Sequence, residues 1–128
     1  MADARSPLAG RRILIVEDEY LIAAELERWL EEAGAVVVGP VPSVAQALDL
    51  IEAGDPPDAA VLDINLGRGE RAYPIADRLS ALGVPFMFAT GEVRVSDVAA
   101  YRERPCLGKP ILERELLRTI EGLLRRDA

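Results

Sequence analysis

Four apolar runs in this chain end on residues that can do chemistry. Ile13-Leu14-Ile15-Val16 leads into Glu17-Asp18, Ala59-Ala60-Val61-Leu62 into Asp63, Pro85-Phe86-Met87-Phe88-Ala89 into Thr90-Gly91, and Cys106-Leu107-Gly108 into Lys109-Pro110. A carboxylate can attack phosphorus and carry the phosphoryl group as an acyl phosphate. That reaction asks for charge neutralisation and a fixed line of attack, and for little else. Mg²⁺ suits this chemistry, being a hard octahedral cation held by one or two carboxylates, with water and phosphate oxygens completing its shell. Glu17, Asp18 and Asp63 can supply the carboxylates, and the Asn65 backbone carbonyl can add an oxygen. Lys109 would set a positive charge on one phosphoryl oxygen, while the Thr90 hydroxyl and the Gly91 amide would hydrogen-bond another.

These residues meet only if the runs are neighbouring parallel strands with their carboxyl ends at one edge, where open α/β sheets keep their ligand sites. The intervening segments are built for that. Leu21, Ile22, Leu26, Trp29 and Leu30 recur at a helical period, and Gly34 is suited to cap the helix they form. Ala35 to Gly39 reads as a Val-rich strand closed by Pro40-Val41-Pro42. Ser43, with Gln46 in capping-box spacing, opens a short helix whose buried face would be Ala45, Leu48 and Ile51. Beyond Asp63, Leu66 to Arg71 is a Gly-rich loop, and a helix follows from about Pro74 through Ile75, Ala76, Leu79 and Leu82 to Gly83. Ser96 through Tyr101 carries only a thin apolar face. The last helix places Leu112, Leu116, Leu117, Ile120, Leu123 and Leu124 on one side. Five strands alternating with five helices predict an α/β doubly wound five-stranded parallel sheet.

A length of 128 residues suits a single domain, and a formal charge of -7 disfavours nucleic acid or an anionic membrane as partner. Cys106 is the only cysteine, which excludes an internal disulfide and fits a reducing cytoplasm. There is no histidine, so the chain supplies no Ser-His or Cys-His pair and cannot donate a phosphoryl group from histidine. Residues 1–10 read as a disordered leader without the apolar core of a signal peptide, and no run approaches a membrane span. The alternating pattern uses the remainder, leaving no room for an output domain.

Glu17-Asp18, Asp63, Thr90 and Lys109-Pro110 stand in the order and approximate spacing of the receiver domain of two-component response regulators, which the chain resembles over residues 11–126. Pro85-Phe86-Met87-Phe88-Ala89-Thr90-Gly91 and the Gly-rich loop are similar to the stand-alone alphaproteobacterial receivers called the FATGUY family. The resemblance implies a (βα)5 flavodoxin-like fold with strand order 2-1-3-4-5. It also implies phosphorylation of Asp63 by a sensor histidine kinase or histidine phosphotransfer protein, with Mg²⁺ bound at Glu17, Asp18, Asp63 and the Asn65 carbonyl. Thr90, Gly91 and Lys109 would bind the phosphoryl group and switch, and Pro110 is the cis-proline candidate. A single-domain cytoplasmic regulator of this kind signals to a protein target or drains phosphoryl groups, as a monomer or weak dimer. It catalyses only its own phosphorylation and dephosphorylation. Two positions depart from the pattern: Cys106 stands where receivers carry an inward-turning aromatic, and Glu92 where the narrower family places one. These departures leave open a receiver-like module that binds partners without phosphorylation. A small Asp-nucleophile phosphohydrolase is the further alternative, but it needs an acid where Asn65 stands, and a cap domain.

Overall fold

The all-apolar character of Ala59–Asp63 and Phe86–Thr90 has one structural solution, a strand covered on both faces. The computed structural model, which describes residues 6–91, 101 and 103–126, places both runs in the interior with every residue buried. In chain order the elements are β1 (Arg12–Val16), α1 (Tyr20–Glu32), β2 (Val36–Val41), α2 (Val44–Glu52), β3 (Ala59–Asp63), α3 (Tyr73–Ala81), β4 (Phe86–Thr90), β5 (Cys106–Gly108) and α4 (Glu113–Arg126). The strands form one parallel sheet in the order β2-β1-β3-β4-β5, the order that the family resemblance implies. Four helices occur among the described residues. The expected helix over Ser96 to Tyr101 lies outside them except for Tyr101.

The period of two along each strand divides the interior into two cores. Leu14, Val16, Ala60, Leu62, Phe86 and Phe88 face α2 and α3, while Ile13, Ile15, Ala59, Val61, Met87 and Ala89 face α1 and α4. Each buried Leu, Ile or Phe contributes roughly 1.5–3 kcal/mol, so the two cores can hold the strand ends where their own charges would not.

Several helix faces differ from expectation. Leu21 is 80% exposed because the stripe of α1 runs through Ala23, Leu26 and Leu30, with Ile22 and Trp29 partly buried at its flanks. Ala45 is exposed, and Val44, Ala47, Leu48 and Ile51 pack instead, at the i, i+3, i+4, i+7 spacing of one face. Ser43 does cap this helix, its Oγ accepting from the Gln46 amide at 3.2 Å. Leu112 precedes α4 and is 59% exposed, its carbonyl receiving the Leu116 amide. β2 does not stop at Gly39. Left-handed Gly39 (φ 92°) and a cis Gly39-Pro40 peptide shift the register, and the strand continues to Val41. A proline is tolerated there because β2 is an edge strand. The leader is corrected over its second half: Ser6 to Gly10 forms turns, and Leu8, 1% exposed, packs into the core beneath α1 and α4.

Candidate functional site

The parallel register brings the chemically suggestive strand ends level with one another. Val16 pairs with Leu62, Asp63 with Ala89, and Thr90 with Gly108. The extension of β2 matters here, because the Val41 carbonyl accepts the Glu17 amide at 3.0 Å and fixes the turn out of β1. Glu17 is thereby buried at 3% exposure, with Oε2 accepting from the Glu19 amide at 3.0 Å. Asp63 is 4% exposed, and its Oδ1 accepts from the Asn65 amide at 3.2 Å. Lys109 is held by its own amide, which donates to the Thr90 carbonyl at 2.8 Å, and the Lys109-Pro110 peptide that follows is cis. Its Nζ lies 2.9 Å from Glu17 Oε1, 3.1 Å from Asp63 Oδ2 and 3.4 Å from Glu19 Oε1. Thr90 is buried beside them at the end of β4, and exposed Gly91 follows.

Burial pushes the Asp63 carboxyl up to about 7, reinforced by the negative charge of Glu17; Lys109 works in the opposite direction and does not cancel these effects. Burial tends to lower Lys109, but Glu17 and Asp63 outweigh it and raise the ammonium to about 12. Lys109 is therefore a permanent cation, whereas Asp63 is short of positive partners.

The response regulator receiver domain model matches residues 13–121. The chain belongs to this family. Among solved structures, the solution structure of SdrG from Sphingomonas melonis Fr1 superposes with a TM-score of 0.78 at 44% identity, covering 93% of this chain and 98% of that one. The BeF3-activated conformation of SdrG from Pseudomonas melonis Fr1 also matches, with a TM-score of 0.76 at 45% identity, covering 91% and 98%. PhyR from Brucella abortus gives a TM-score of 0.81 at 26% identity, over 97% of this chain and 52% of PhyR. The transcriptional regulatory protein PdtaR of Mycobacterium tuberculosis is 29% identical over 98% of this chain, which spans only 60% of PdtaR's length.

Within this receiver, Glu17, Asp18 and Asp63 each offer an oxygen, and those oxygens lie within 4.8 Å of one another. Glu17 Oε1 is buried with the Lys109 ammonium 2.9 Å away. A buried anionic oxygen with a single cation beside it, grouped with two further carboxylates, fits a hard divalent cation. Asn65 stands at the start of the following loop, bridged to Arg71.

The altered positions of this receiver are only partly described. Glu92 lies outside the described residues. Cys106 pairs with Phe88 across β4 and β5, and burial raises its thiol, which suits a small packing residue. The aromatic mass on this face comes from Tyr101, whose ring stacks on Tyr73 at 6.2 Å and meets Phe86 and Phe88 edge-on, while its hydroxyl donates to Asp77. The Arg104 guanidinium sits 4.4 Å over the Phe86 ring.

Sequence reasoning overlooked three contributors. Glu19, which follows the Glu17-Asp18 pair, reaches Lys109. Glu70 accepts from the Val44 amide at 3.0 Å and ties the loop after Asp63 to the start of α2. Gly67 lies directly against Asp18. No periodicity marks the last two.

Proposed function

We propose that the chain is a single-domain response regulator that accepts a phosphoryl group on Asp63 in a Mg²⁺-dependent reaction. The observation that carries this reading is the position of Asp63, buried at the sheet edge with Lys109 Nζ 3.1 Å from its Oδ2 and the Glu17–Asp18 pair beside it. A sensor histidine kinase or histidine phosphotransfer protein would supply the group, since this chain has no histidine of its own. An Asp63 carboxylate oxygen attacks phosphorus, the P–N bond to the donor imidazole breaks, and its electron pair leaves with the ring. Mg²⁺, held by Glu17, Asp18, Asp63 and the Asn65 carbonyl, would neutralise charge on the phosphoryl oxygens. Lys109 pairs with one of those oxygens as Asp63 is consumed, and the Thr90 hydroxyl and Gly91 amide receive another.

The phosphorylated form would act through contact with a downstream protein or as a phosphate sink, in the cytoplasm and as a monomer or weak dimer. The acidic surface supports a protein partner over nucleic acid. No helix among the described residues is long and apolar enough to cross a membrane.

The deciding experiment is intact mass after incubation with acetyl phosphate and Mg²⁺, beside Asp63→Asn and Mg²⁺-free samples. A single adduct requiring both Mg²⁺ and Asp63 is expected. An adduct on Asp63→Asn overturns the acceptor assignment. Absence of both adduct and turnover overturns phosphorylation in favour of a binding module, and steady release of phosphate points to a hydrolase.

A further inference from the structure

The loop after the acceptor is a closed turn. Leu66 N donates to Glu70 O at 2.9 Å, Glu70 N donates to Gly67 O at 2.9 Å, and the Glu70 carboxylate receives the Val44 amide at 3.0 Å. Its crest is left-handed throughout, with φ of 79° at Gly67, 53° at Arg68 and 75° at Gly69. The two glycines differ in what they face. A Cβ on Gly69 would meet nothing within 4 Å, whereas a Cβ on Gly67 would stand 3.2 Å from Asp18 Oδ2. Asp18 is exposed, unlike Glu17 and Asp63, so its carboxylate has solvent to swing into.

We propose that Gly67 is a positioning residue for Asp18: its bare Cα provides the space in which the Asp18 carboxylate lies near Glu17 and Asp63, and a side chain at 67 displaces that carboxylate. This inference rests on the divalent-cation site of the proposed function. The loop therefore contributes to cation affinity without supplying a side-chain ligand. Pinned by Leu66 and Glu70, it yields less readily than Asp18, so the carboxylate is the partner that moves.

The test is Mg²⁺ binding by isothermal titration calorimetry on the full chain, with Gly67→Ala and Gly69→Ala compared in parallel. Both replacements put alanine at a left-handed φ and strain the backbone similarly, so both should lower the urea midpoint by a similar amount. Only Gly67→Ala should weaken Mg²⁺, by about tenfold, the lower end of what outer-shell changes cost. In an Asp18→Ala background, which removes the group the Cβ would crowd, Gly67→Ala should have no further effect on affinity. Equal Mg²⁺ affinities for the two glycine variants overturn the proposal, as does a full Gly67→Ala penalty in the Asp18→Ala background. Should Gly67→Ala fail to fold, Gly67→Asn and Gly69→Asn serve in its place, because asparagine tolerates a left-handed backbone; the same two outcomes decide. Failure of the wild-type chain to bind Mg²⁺ would instead remove the site itself, a result distinct from equal binding by both variants.

Discussion

The raised carboxyl of Asp63 makes a prediction about folding that can be measured without any partner. Folded, the group titrates at about 7; its ordinary value is 3.8. Between those values the native chain retains a proton that the unfolded chain has released, so the Asp63 contribution to stability is fully present below 3.8, falls as pH rises, and is gone above about 7. At about 1.4 kcal/mol per tenfold change in proton affinity, the loss amounts to roughly 4 kcal/mol at its ceiling. An amide at this position carries no charge to bury and keeps an oxygen toward Lys109. Asp63→Asn should therefore be more stable than the wild type near pH 8 in the presence of a chelator, and the difference should shrink toward pH 4. Urea unfolding of both proteins across this range reads the difference directly, and titrations common to both cancel. Excess Mg²⁺ should restore wild-type stability at high pH and leave Asp63→Asn nearly unchanged. A stability difference that stays constant with pH would refute the reasoning, because it would show that Asp63 ionises without cost in the folded state.

Three other perturbations test separate parts of the arrangement. Lys109→Ala leaves Glu17 and Asp63 buried without their cation, and should cost about 3–5 kcal/mol in chelator; calorimetry should find Mg²⁺ affinity roughly intact while the response to phosphorylation is lost. Gly39→Ala forces a Cβ to within 3.0 Å of the Val41 amide nitrogen and 3.1 Å of the Ile15 carbonyl at a φ of 92°, and should destabilise by about 2 kcal/mol on urea unfolding. Tyr101→Phe removes the hydroxyl that donates to Asp77 but keeps the ring stack; thermal unfolding should show a loss of about 1 kcal/mol, against several for Tyr101→Ala.

The central strands and the order of the site residues were legible in the sequence because short apolar runs ending in acids carry two signals at once, burial and chemistry. The apolar runs were enough to place Asp63 and Thr90 at strand ends, while their roles came from the four strand ends taken together and from the family resemblance. What escaped was information held in tertiary geometry. Pro40 reads as a strand terminator, yet a left-handed Gly39 lets β2 continue and deliver the Val41 carbonyl to Glu17. Leu21 and Ala45 sit one or two residues off the stripes that pack, a difference of about 100° per residue that only the docked helix resolves. Tyr101 stands five residues before Cys106, and nothing in the spacing around Cys106 announced that its ring would fill that face. Gly67 and Glu70 act through contacts with Asp18 and Val44, distant in sequence and unmarked by any motif.

The charge gathered at the strand ends has to be held there by the sheet. Two carboxylates about 4 Å apart repel by about 4 kcal/mol at the effective dielectric of a protein surface, and the site gathers the oxygens of Glu17, Asp18 and Asp63 within 4.8 Å around a single lysine. Left to themselves these groups would separate. They stay together because β1, β3 and β4 are buried over most or all of their length and cannot slide without exposing two cores. The repulsion is therefore carried by the packing of residues such as Leu14, Leu62 and Phe88, remote from the chemistry. It follows that substitutions weakening those cores should relax the site as well as the fold, lowering cation affinity in variants whose acids are all intact.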